Sequence, residues 1–183
     1  DHVTLVANPN YHRGAPFIDT YVRKYVKDTT ALYQQLKTGE VDFCALTADT
    51  ADDAKKQTNF VTTIYDAFSF SFFGYNLDTT GKGLPMFQDV KLRQALFYAI
   101  DRKGIVDKIR NGLGTVAQGT MPIVSWAYQP DKITTKYDYD PKKAAQMLDD
   151  LGWKMGSDGI RAKGGPRLSF TMNTQRGDKV YDG

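Results

Sequence analysis

At 183 residues the chain holds one large domain or two small ones, since domains run to roughly 150 residues. Apolar residues at 41% and charged residues at 25% exclude disorder, collagen and coiled coil for the chain as a whole. Net charge is only +3, with the basic residues scattered, which leaves no electrostatic footprint for nucleic acid.

In chain order, Val3 to Ala7 is a short apolar run, followed by a turn through Asn8-Pro9-Asn10 and a loop with Gly14 and Pro16. Thr20 to Lys27 alternates and predicts a strand. Asp28 supplies an N-cap, Ala31, Leu32 and Leu36 share a helical face, and Gly39 ends the helix. Val41 to Leu46 reads as the next strand and Asp49 to Lys56 as a short polar helix. Phe60 to Tyr65 and Phe68 to Tyr75 read as two further strands. Strand, helix, strand, helix, strand is the order of an open α/β sheet.

Beyond Asn76 the composition turns to loop through Pro85. Asp89 then caps a helix bearing Val90, Ala95, Leu96, Ala99 and Ile100. Asp101 caps a second helix that closes at Gly112. Leu113 to Tyr139 carries no period, and irregular stretches of that length tend to be functional. Asp140 as N-cap with Pro141 at the first helical position is the clearest local signal, with Tyr139 placed to staple onto Ala144. Gly152 ends that helix, Asp158-Gly159 marks a turn, and Arg167 to Met172 alternates as a strand. No stretch approaches the ~18 uninterrupted apolar residues of a membrane helix.

Catalytic chemistry finds little to stand on. The two histidines, His2 and His12, sit in the first twelve residues among polar neighbours. Cys44, the single cysteine, lies in an apolar run with no cation adjacent to activate it, so it reads as a small buried hydrophobe. Asp52-Asp53 and Asp149-Asp150 are sequential, which on a helix points them apart. Gly81 and Gly83 are followed by Leu and Pro, so no phosphate loop is present. No catalytic residues, metal ligands or cofactor site are expected. A patterned α/β chain with eleven Tyr and ten Phe reads as a binder.

Four strings sharpen this. Asn8 to Asp19 (NPNYHRGAPFID), Leu36 to Asp42 (LKTGEVD), Asp89 to Arg102 (DVKLRQALFYAIDR), and Tyr139 to Ala144 (YDPKKA) with Leu151-Gly152-Trp153 follow one another across nearly the whole chain. In order and spacing they resemble the family 5 extracellular solute-binding proteins, the peptide, nickel and opine receptors of ABC importers. Departures are few: His12 stands where Trp is usual, Leu92 where Val is usual, and Leu151 where Ala is common. The residues themselves read mainly as scaffold, through caps at Asp89 and Asp101 and a helix end at Gly39.

The resemblance implies an α/β, periplasmic-binding-protein type II-like fold, of which this chain is a fragment. It implies residues 1–76 as part of the first lobe and 77–183 as the first part of the second. The opening at Asp1 without an initiator Met, and the stop after Lys179-Val180-Tyr181, read the same way. The implied protein is no enzyme. It captures small peptides outside the cytoplasmic membrane, periplasmic or lipid-anchored, and passes them to ABC permease subunits. A nickel chelate, an opine or an oligosaccharide is the alternative cargo, and a hydrolase lobe the alternative class. Ligands of open α/β sheets sit beyond the carboxyl ends of strands at the switch between halves. This selects Ala45, Leu46 and Thr47 at one strand end, Tyr75 and Asn76 at the crossover, and Trp126 in the irregular stretch. Truncated sheet edges would favour self-association of the isolated fragment.

Overall fold

The computed structural model describes residues 1–174 and divides into two compact units, 1–62 and 63–183. The run Lys179-Val180-Tyr181 lies outside the described residues.

The first unit opens with a hairpin. Strand β1 (His2–Val6) pairs antiparallel with β2 (Thr20–Lys24), in a register that sets Val3 against Arg23 and Leu5 against Tyr21. Helix α1 (Thr29–Thr38) follows. The Asp28 carboxylate accepts the Ala31 N–H at 2.7 Å, and Gly39 at φ 79° closes the far end, a left-handed position that favours glycine. Tyr33 and Leu36 turn inward and meet Ala54 of the short helix α2 (Ala51–Ala54). Val41, Cys44, Leu46 and Phe60 pack around that cluster. The helix read from Asp49 to Lys56 is thus shorter than expected, and its N-cap residue, Thr50, makes no side-chain capping bond.

The second unit is built on two helices. A 3₁₀ turn (Pro85–Gln88) leads into α3 (Val90–Tyr98), whose N-cap Asp89 accepts the N–H groups of Lys91 and Leu92. Asp101 caps α4 (Arg102–Gly104), which runs on as a π turn through Ile109. Asp140 caps α5 (Pro141–Asp150) by accepting the Lys143 N–H at 2.9 Å. Helices α3 and α5 pack together. Leu92 and Ala95, both 0% exposed, form the core there with Phe87, Leu148 and Trp153. Burial of that kind contributes about 1.5–3 kcal/mol for each large side chain. Gly152, at φ 84°, turns the chain out of α5 toward the hairpin of β3 (Lys154–Met155) and β4 (Arg161–Ala162). Arg161 locks that hairpin to the helix end, donating to the Asp149 carboxylate at 2.7 Å and to the Trp153 carbonyl at 2.6 Å.

The expected open α/β sheet is not assembled among the described residues. Both sheets have two strands and are antiparallel. The segments read as strands over 41–46, 60–65 and 68–75 form no ladder there, β2 stops at Lys24 instead of Lys27, and 167–172 contributes only a single bridge from Arg167 to Ala162. Alternation supplies the amphipathic pattern of a strand but not its neighbour, and a ladder needs both. Within the second unit the Tyr75 ring packs on Phe87, centroids 4.9 Å apart.

Candidate functional site

Of the six residues selected from sequence, three lie in the first unit. Ala45 is exposed, while Leu46 is half-buried and lends its side chain to the cluster around Tyr33. Thr47 opens the turn into α2: its carbonyl accepts the Thr50 N–H at 3.1 Å and the Thr50 hydroxyl at 3.0 Å, and its own hydroxyl donates to the Asp49 carboxylate. The turn uses the polar groups of Thr47, leaving Ala45 as the open surface of this trio. Nearby, burial pushes the Cys44 thiol up, which suits the reading of an unreactive thiol.

The other three lie in the second unit. Tyr75 is half-buried between solvent and the Phe87 ring, and burial raises its hydroxyl above the usual tyrosine value while the Arg93 charge opposes the rise. Asn76, next in line, is exposed. Its Oδ1 accepts the Asp78 N–H at 3.0 Å, an Asx turn that orients the amide and leaves its NH₂ outside the turn. Beyond it, the Asp78 carboxylate accepts both the N–H and the hydroxyl of Thr80 at 2.8 Å, which lowers it below the ordinary aspartate value.

Trp126 is 96% exposed. Among the described residues no ring contact joins it to Tyr75. The next residue, Ala127, lines a cavity of about 300 Å³ together with Gly119, Thr120, Met121, Tyr128, Gln129 and Ile133, to which the Trp126 ring does not contribute. That volume sits at the small end for ligand pockets and suits one side chain better than a whole peptide.

The irregular stretch that carries Trp126 is held by residues sequence reasoning treated only as motif letters. Arg102 donates to the carbonyls of Ala117, at 2.6 Å, and Tyr137, and stacks 4.7 Å from the Phe97 ring centre. Gln94 donates to the Tyr137 hydroxyl at 2.9 Å. Lys143 donates to the Tyr98 hydroxyl at 2.9 Å while lying over that ring, and the bond raises its ammonium above the ordinary lysine value. Arg93, one helical turn on from Asp89, donates to the Phe87 carbonyl. A long cation within about a turn of a cap is the sequence signal for Arg93, Arg102 and Lys143, and Gln94 has none. Among the described residues no three metal-ligating groups converge, and no helix is long and apolar enough to cross a membrane.

Comparison with known proteins agrees with the motifs. Residues 1–182 match the profile of the bacterial extracellular solute-binding proteins, family 5. The chain is 37% identical over 182 residues to the oligopeptide-binding protein AppA of Bacillus subtilis, covering 99% of this chain and 33% of that protein. AppA in complex with a nonapeptide superposes with a TM-score of 0.85 over 98% of this chain and 35% of its own. NikZ of Campylobacter jejuni, solved with Ni(L-His), is 28% identical with a TM-score of 0.73, over 92% of this chain and 32% of its own. The heme-binding protein A of Haemophilus influenzae is 33% identical over 156 residues, 84% of this chain and 27% of that protein. The chain therefore spans about a third of the length of these relatives.

Proposed function

The chain belongs to family 5 of the bacterial extracellular solute-binding proteins, with the type II periplasmic-binding fold its motifs implied, and from that premise we propose that the protein carrying it captures short peptides outside the cytoplasmic membrane. Delivery to ABC permease subunits, and a periplasmic or lipid-anchored station, belong to the same proposal. The observation that carries the peptide reading is the 37% identity and TM-score of 0.85 to an oligopeptide-binding protein solved with a nonapeptide. Family 5 proteins are transport receptors, and the role proposed for this protein is capture without bond making or breaking.

Ala45, Leu46, Thr47, Tyr75, Asn76 and Trp126 are the proposed ligand-facing residues. Exposure of Ala45 and Trp126 and the oriented amide of Asn76 support the choice. A peptide held in this way is gripped through main-chain hydrogen bonds, with its side chains in roomier pockets. The cavity lined by Ala127, the residue after Trp126, would receive one such side chain. Residues 68–76 are proposed as the crossover that enters the second lobe, with 1–76 in the first lobe and 77–183 in the second.

Metal chelate is the second reading, favoured by the likeness to NikZ and disfavoured by a histidine content of two. The test is a titration of the full-length protein with a pool of random nonapeptides, followed by tryptophan fluorescence. A saturable change is expected, smaller in Trp126→Phe than in the parent because Trp126 is 96% exposed. A flat titration of folded protein, with a response to Ni(L-His) instead, replaces the peptide reading by the second.

A further inference from the structure

We propose that Gln88 is a positioning residue for Asn76, an inference that rests on the peptide-binding reading above. The segment from Asn76 to Gly83 is folded tightly on itself. The Asx turn at Asn76 and the Asp78–Thr80 bonds close it, and Gly83 lies so near that a Cβ there would collide with the Asp78 backbone and stand 3.0 Å from the Asn76 carbonyl. Such a plug moves as one piece, so its orientation is set where it is fastened to the helical body.

Two adjacent residues of the 3₁₀ turn fasten it. Phe87 packs against the rings of both Tyr75 and Phe170, with centroids 4.9 and 5.3 Å away. Gln88 donates from Nε2 to the Leu77 carbonyl at 2.8 Å. The grips fall on either side of Asn76, one on the residue before it and one on the residue after. The turn is itself held fast: Arg93 of α3 donates to the Phe87 carbonyl, and Asp89 begins the α3 cap. Phe87 is part of the buried core, whereas Gln88 is exposed. Removing the Gln88 bond therefore frees the Leu77 side of the plug while sparing the fold, and the Asn76 amide loses its fixed aim.

The experiment uses the full-length protein and the random nonapeptide pool, with three variants. Gln88→Glu keeps the shape and removes the donor. Gln88→Lys returns a donor on a different stem. Asn76→Asp keeps the acceptor of the Asx turn and removes the NH₂. Gln88→Glu is expected to weaken peptide binding roughly three- to tenfold, the range of one hydrogen bond, with an unchanged melting temperature and faster hydrogen exchange over residues 76–80. Gln88→Lys is expected to recover most of the affinity and the slow exchange. A Gln88→Glu protein that melts lower yet binds as tightly overturns the proposal, because the bond is then structural only. Loss of affinity in Asn76→Asp without loss in Gln88→Glu also overturns it and leaves the peptide reading standing. Full affinity in Asn76→Asp removes Asn76 from the site, and the positioning role of Gln88 with it.

Discussion

Helix α3 and the β1–β2 hairpin are both rich in apolar residues, but they use them differently. Helix α3 buries Leu92 and Ala95 completely against α5 and Trp153, whereas every residue of β1 and β2 is exposed on both faces of the hairpin. A helix satisfies its backbone from within and needs only one apolar neighbour, which α5 supplies from the same unit. A two-stranded hairpin satisfies one edge of each strand and is marginal in water without a third strand or a covering layer. Val3, Leu5 and Tyr21 share one face patterned for such a layer, and Val6 and Val22 lie on the other.

The largest expected effect sharpens that contrast. Leu92→Ala leaves a hole at a site with no exposure and is expected to cost about 2–5 kcal/mol in a urea melt. Leu5→Thr, on an open face, is expected to stay within about 0.5 kcal/mol in the 183-residue chain. In the full-length protein the Leu5→Thr cost is expected to rise severalfold if another layer covers the hairpin. Equal costs for Leu5→Thr in both contexts would show that the hairpin faces water in the receptor too.

The next effect tests whether the helices are locally encoded. Asp140→Ala removes the acceptor for the Lys143 N–H and is expected to cost about 1 kcal/mol. Asp28→Ala at α1 removes the bond from Ala31 and belongs in the same range. Faster hydrogen exchange confined to the first turn of the affected helix would accompany each loss. Loss of both helices together would contradict local encoding.

This locality explains what was legible in the sequence. Asp28, Asp89, Asp101 and Asp140 act within three residues of themselves, so a short window shows cap, helix and closing glycine together. The four motifs carry the family and fold for a related reason: they punctuate helices and turns at fixed spacing. Strand pairing was not legible, because the alternation in 41–46 or 68–75 says which side chains share a face and nothing about the neighbouring strand. Nor were the anchors. Gln88 reaches Leu77, and Arg102 reaches Ala117 and Tyr137, through side chain–carbonyl bonds spanning 11, 15 and 35 positions. No residue type at the receiving end marks such a bond, since every residue offers a carbonyl. Trp126 was legible as a loop aromatic, while its near-complete exposure needed the fold.

The smallest effect separates the units by pH. In the first unit Tyr33 donates its hydroxyl proton to Asp53 at 2.6 Å, and burial together with that bond pushes it from 10.0 up to about 12. A raised acid stabilises the fold in its protonated form, so this contribution is complete below pH 10 and is lost as pH climbs through about 12. In the second unit the Arg161 guanidinium, only 12% exposed, bonds the Asp149 carboxylate and holds it below the usual 3.8. A lowered acid stabilises in its ionised form, so that contribution is complete above 3.8 and is lost as pH falls through the lower folded value. Both carboxylates are partly open to solvent, which keeps the effects small. Thermal midpoints measured across pH are therefore expected to show Tyr33→Phe flattening the alkaline limb and also weakening the acid limb, because the same bond lowers Asp53, whereas Asp149→Asn flattens the acid limb alone. An alkaline limb that keeps its slope in Tyr33→Phe would mean that the Tyr33–Asp53 bond does not hold α1 to α2 in solution.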